Sequence, residues 1–104
     1  MATYGTLQPG QRNHHVVSMI AGRWVNGHVV GRLLDCGWAV SMGYPAFARD
    51  GQDQVAVQVL ESEQLIEHWE RLDFFEGPAY QRVVVEVHTE EGVIEASIYV
   101  ASDA

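Results

Sequence analysis

Positive charge is scarce in this chain: six basic residues stand against fourteen acidic ones, the formal net charge is -8 at pH 7, and the basic residues form no run. A grip on nucleic acid that ignores sequence needs clustered cations to neutralise phosphates, so neither DNA nor RNA is expected as a partner. The same deficit argues against an anionic membrane surface. Long apolar runs are missing too, since nothing approaches the roughly 18 residues of a membrane-spanning helix. The N-terminus lacks the charged-then-apolar order of a signal peptide, and the simplest expected location is the cytoplasm. Cysteine is reduced to Cys36 alone. One cysteine allows no intrachain disulfide and no zinc cluster. In Leu33-Leu34-Asp35-Cys36-Gly37 it reads as a small buried thiol at a strand end. Five histidines keep a Cys-His nucleophile conceivable, but nothing beside Cys36 marks an activated thiolate.

What the chain has is apolar residues, at 47% of its 104 positions. That supports folding around one core and argues against disorder, and the length fits a single domain over residues 1–104. Period-two alternation marks Val55, Val57 and Val59 as one strand face, then recurs over Tyr80 to His88 and Val93 to Val100. Gly92, after Thr89-Glu90-Glu91, suits the positive φ of a hairpin turn. Val29 to Leu34 also reads as a strand, and Trp38-Ala39-Val40 as its continuation. Arg49-Asp50-Gly51-Gln52-Asp53 reads as a solvent-facing turn. Ser62 is a good N-cap, and Leu65, Ile66, Trp69 and Leu72 recur at helical spacing behind it, which predicts one main helix with those four residues on its buried face. The expected architecture is α+β: a small, strongly curved sheet or barrel with one main helix.

Two stretches carry candidate chemistry. Leu72-Asp73-Phe74-Phe75-Glu76-Gly77 closes the helix and places Glu76 beside aromatic residues. A partly desolvated carboxyl there gains a raised pKa, useful for moving protons at neutral pH; a solvated charge at a helix end is the alternative. In Tyr4-Gly5-Thr6-Leu7-Gln8-Pro9-Gly10, two glycines and a proline require a turn able to aim several backbone N–H groups in one direction. The turn lacks the lysine of a phosphate-binding loop, so nucleotide binding is not supported. Asn13 and His14 are placed to brace it. His14 and His15 point apart on any regular backbone and have no third ligand nearby, which disfavours a metal. Tyr44-Pro45 is an extended turn with an aromatic wall, and Tyr80 and Tyr99 are strand tyrosines that line a pocket or simply pack. Asp73 is expected to hydrogen-bond near the helix end; Glu86 and Glu95 read as solvated cross-strand charges, with Arg82 a partner for a nearby acid.

In order and separation, Tyr4-Gly5-Thr6-Leu7, Gly10-Gln11, Asn13-His14, Tyr44-Pro45-Ala46, Leu72-Asp73 with Glu76-Gly77, Tyr80 with Arg82, and Ala96 with Tyr99 resemble the gamma-glutamyl cyclotransferase-like family, nearest its gamma-glutamylamine cyclotransferase branch. The resemblance implies an α+β fold, a small mixed β-barrel or strongly curved sheet with one main helix and short flanking helices, and a pocket between the Tyr-Gly-Thr-Leu loop and the Glu-Gly turn. It implies that a substrate's α-amine attacks its own γ-glutamyl carbonyl, closing 5-oxoproline and expelling an amine. Glu76 would shuttle the proton; Tyr4, Gly5, Thr6, Leu7, Tyr44, Tyr80 and Tyr99 would hold the γ-glutamyl substrate, with no metal or organic cofactor. A monomer or weak homodimer is expected. Two features depart from the family pattern: only three residues precede Tyr4, and Val57-Gln58 stands where Gly-Glu is common. Two other readings stay open, a small-ligand-binding module that does not turn over and an enzyme removing a γ-glutamyl protecting group by the same ring closure.

Overall fold

The alternating segments become strands because residues two apart share a face and one face can be buried. The computed structural model describes residues 1–34 and 46–101; the readings made for Cys36, Trp38 to Val40, and Tyr44 with Pro45 fall outside them. The strands are β1 (Ala2–Thr3), β2 (Arg23–Leu34), β3 (Ala46–Glu61), β4 (Tyr80–Thr89) and β5 (Gly92–Ala101). They form one sheet in the order β1-β3-β2-β4-β5, with every pairing antiparallel. Between β3 and β4 lie a 3-10 turn, Glu63–Glu67, and the helix α1, Trp69–Glu76. A shorter 3-10 turn, His14–Val16, interrupts the connection from β1 to β2. This is the α+β class anticipated above, as a curved sheet with one main helix.

The curvature can be measured from its edges. Four strand spacings in a flat sheet would separate β1 from β5 by roughly 19 Å. Tyr4, immediately after β1, instead donates its hydroxyl to the carbonyl of Tyr99 on β5 at 2.7 Å. Inside the curl sit Val29, Phe47, Val57, Val59, Val87 and Ile98. At the end where β1 and β5 meet, the outer side is covered as well: Leu60, Leu65, Leu72, Val17 and Tyr99 form a second buried cluster between the sheet and α1.

Three local readings change. The helix expected from Ser62 onward is divided. Ser62 does cap, accepting from the Gln64 amide at 3.0 Å, but a 3-10 turn follows and ends at His68 before α1 begins. A 3-10 turn rotates the chain about 120° per residue, whereas an α-helix rotates it about 100°. Leu65 and Leu72 therefore face the core while Ile66, assigned to the same face, is 80% exposed. Phe74 and Phe75 are 88% and 41% exposed, and neither lines the pocket that holds Glu76. The third change concerns residues 49–53, which belong to β3. The register jumps from Gly31↔Asp53 to Arg32↔Ala48, leaving a bulge whose exposed Asp50 is clamped by Arg32 at 2.9 Å. Gly31 is required there, since a Cβ would collide with the Phe47 ring.

Candidate active site

The pocket forms where the edges of the sheet converge. Residues 1–7, Glu76, Tyr80 and Tyr99 line it, around a cavity of about 30 Å³. Tyr4, Gly5, Thr6, Leu7, Glu76, Tyr80 and Tyr99, the residues singled out from the sequence, line one cavity. The reading of Tyr44 lies outside the described residues.

One wall is the Tyr4–Gln8 turn, and it is held from behind. Gln8 Nε2 donates to the Thr3 carbonyl at 2.8 Å, and the Asn13 amide donates to the Thr6 carbonyl at 3.0 Å. Asn13 Nδ2 donates to Thr6 Oγ1 at 2.9 Å, and His14 Nδ1 donates to the Leu7 carbonyl at 2.9 Å. Asn13 and His14 brace the turn as expected. Thr3, Thr6 and Leu7 carbonyls are all occupied, yet the amides of Gly5, Thr6 and Leu7 donate to no acceptor among the described residues. Gly5 can line the cavity only with backbone. The turn therefore offers unsatisfied N–H donors to whatever enters.

The other wall carries the carboxyl. Glu76 is the last residue of α1, and Gly77 ends the helix with φ 80, a conformation that glycine adopts without cost, its amide bonding the Asp73 carbonyl at 3.0 Å. The Glu76 side chain is half-buried among the three tyrosines and has no ion-pair partner among the described residues. Burial alone pushes its pKa up to about 7.

Asp73, one turn earlier, has the opposite environment. Arg82 Nε and Nη2 grip its two oxygens at 2.9 and 3.2 Å, and Tyr99 Oη donates to Oδ1 at 2.6 Å. The Arg82 hydrogen bonds, with help from Tyr99, hold this carboxyl below the usual range. Arg82 lies 4.3 Å over the Trp69 ring. Arg82 was read as a partner for an acid, but the acid is Asp73 rather than Glu86 or Glu95, which oppose each other on the exposed face. Only the Arg82–Tyr99 part of this arrangement could be read from the sequence: pairing Thr89 with Gly92 across the hairpin makes paired positions sum to a constant, which sets Arg82 opposite Tyr99.

Tyr4 is committed structurally. Its hydroxyl accepts from the Phe47 amide at 3.0 Å while donating to Tyr99, and burial pushes its ionisation upward. Tyr4 thus contributes a ring wall, with its proton already spent. Gln58, at the position of the family glutamate, bonds Asn26 Oδ1 at 3.2 Å and takes no part in the lining.

The fold is a curved antiparallel sheet with one main helix, and its converging edges enclose Glu76 together with residues 4–7. The sequence model of the family described as gamma-glutamyl cyclotransferase, AIG2-like matches residues 1–104, and the chain belongs to that family. Among solved structures it is similar to YkqA from Bacillus subtilis, at TM-score 0.75 and 26% identity, over 98% of this chain and 35% of that one. It is also similar to an uncharacterized protein from Pyrococcus horikoshii (TM-score 0.69, 24% identity, 100% of this chain and 78% of that one). A third likeness is to an AIG2-like protein from Mus musculus (0.64, 21%, 100% and 77%). The last two show the fold, and this chain spans about a third of the length of YkqA. No curated protein matches.

Proposed function

We propose that this protein releases 5-oxoproline from γ-glutamyl amines or related γ-glutamyl compounds, with Glu76 as general base and then general acid. The observation that carries the reading is Glu76 itself: a half-buried carboxyl with a pKa near 7, across one cavity from the amides of residues 5–7.

An ammonium is no nucleophile, so Glu76 first takes a proton from the substrate α-amine. The freed amine attacks the γ-carbonyl carbon, forming the ring C–N bond and placing negative charge on the carbonyl oxygen. Free N–H groups of the Gly5–Leu7 turn are suited to receive that charge, a contribution often larger than proton transfer. Glu76 returns the proton to the departing nitrogen as the original amide bond breaks, and the second proton shed by the ring nitrogen passes to the released amine, which leaves as an ammonium. Water is neither consumed nor produced, and the nucleophile belongs to the substrate. No Ser-His-Asp or Cys-His set is called for, and holding amine and carbonyl in contact contributes directly to rate. The same ring closure would serve removal of a γ-glutamyl protecting group.

The test is mass-spectrometric detection of 5-oxoproline after incubation with γ-glutamyl amines, amino acids and peptides, for the parent and for Glu76→Gln. Release by the parent and its loss in the variant support the reading. No release by either, with ligand-induced thermal stabilisation of both, would replace it with the binding-module reading.

A further inference from the structure

The two walls of the pocket differ in hydrogen-bonding sense. The turn offers donors, the amides of residues 5–7. The opposite wall offers oxygen, from Glu76 and from tyrosines whose hydroxyls in principle donate or accept. For Tyr99 that ambiguity is removed. Its hydroxyl lies 2.6 Å from Asp73 Oδ1, and the bidentate Arg82 contact keeps Asp73 ionised and hence an acceptor only. Arg82 is in turn seated over Trp69, and it pairs directly with Tyr99 across the β4–β5 ladder. The single phenolic proton therefore belongs to Asp73, and the Tyr99 oxygen can only accept from a ligand. Tyr99 shares the cavity with Glu76, and burial, followed by the bond to Asp73, opposes ionisation of the phenol.

An amine attacking a carbonyl within its own molecule must aim its lone pair. One acceptor removes the proton, and a second acceptor on a retained N–H holds the direction. We infer that Asp73 is a positioning residue that locks the Tyr99 hydroxyl as an acceptor for the α-ammonium of the γ-glutamyl ligand, so that the site selects ligands with a free α-amine. The inference rests on the cyclotransferase reading above and adds to it a determinant of substrate class. A γ-glutamyl compound acylated at its α-nitrogen, or lacking that nitrogen, forfeits the contact.

Tyr99→Phe and Asp73→Asn are both near-isosteric, and thermal unfolding reports whether each is folded. Calorimetric titration compares two ligands: glutamine, the simplest γ-glutamyl amide, and glutaric acid monoamide, the same frame without the α-ammonium. The parent should favour glutamine. Tyr99→Phe should reduce that preference by about tenfold or more, the usual size of a lost hydrogen bond to a charged group, while glutaric acid monoamide binds within about twofold of the parent. Asp73→Asn should shift the preference in the same direction, and it carries the comparison if Tyr99→Phe does not fold. Equal weakening of both ligands, or no change in preference, would overturn the inference and leave the cyclotransferase reading intact. A parent that binds neither ligand and releases no 5-oxoproline would overturn both.

Discussion

Asp73 and Glu76 stand three residues apart on the last turn of α1, and their carboxyls are driven in opposite directions: Arg82 and Tyr99 hold Asp73 down, while burial raises Glu76 to about 7. Two acids on one helical turn thereby acquire separate tasks, one as a fixed charge and one as a proton carrier.

Glu76 should control the pH dependence of activity and stability. Its base form dominates above about pH 7, so kcat/KM should rise with a slope of one and level off near that value. Glu76→Gln should lose about 10²- to 10⁴-fold in kcat. The stability sign follows from linkage. The folded pKa lies above the ordinary 4.5, so the stabilisation from a protonated Glu76 is complete below pH 4.5 and is lost as pH rises toward 7. Urea unfolding should show Glu76→Gln gaining up to about 3 kcal/mol on the parent above pH 7, with the gap closing below 4.5.

Tyr4→Phe should separate structure from binding. The variant keeps the ring wall but leaves the Phe47 amide and the Tyr99 carbonyl without the partner they share. A stability loss of about 1–3 kcal/mol is expected. KM should change little by comparison, because the Tyr4 hydroxyl is already engaged. A large KM change at unaltered stability would show that this hydroxyl reaches the substrate.

Gly77→Ala tests how Glu76 is aimed. A Cβ at Gly77 meets nothing within 4 Å, so its effect is backbone strain at φ 80 and ψ -176, worth about 1–3 kcal/mol. Relief of that strain moves the adjacent Glu76. Steady-state kinetics should show kcat falling more than KM rises.

The division of the helical segment predicts unequal neighbours. Leu65→Ala should cost about 2–4 kcal/mol, whereas Ile66→Gln should fall within about 0.5 kcal/mol of the parent. Chemical denaturation of the pair distinguishes this arrangement from a continuous helix, in which both residues would be buried.

Much of this was readable before any coordinates. Alternation at Val55, Val57 and Val59 and along β4 and β5 gave strand faces directly, because a strand has one period and little freedom to depart from it. Gly92 marked the β4–β5 turn, and its φ is 114. The Tyr4–Leu7 turn and its braces Asn13 and His14 were also recognisable, since glycine and proline confine the backbone locally and short-range hydrogen bonds do the rest.

What required the tertiary structure was everything set by contact between distant segments. Glu76 shares its cavity with Tyr4, Tyr80 and Tyr99, brought together when the sheet curls, while Phe74 and Phe75 beside it in sequence stand outside the lining. The turn at residues 63–67 took the 3-10 form and turned Ile66 outward, an outcome that hydrophobic spacing alone does not decide. The alliance of Asp73, Arg82 and Tyr99 joins a helix to two strands. Local sequence determined the β4–β5 hairpin, the Tyr4–Leu7 turn and the Ser62 cap, which depend on residues a few positions apart; the strand state of residues 49–53, the environment of each carboxyl, and with it the division of labour between Asp73 and Glu76, depend on pairing, burial and charge contributed by residues far along the chain.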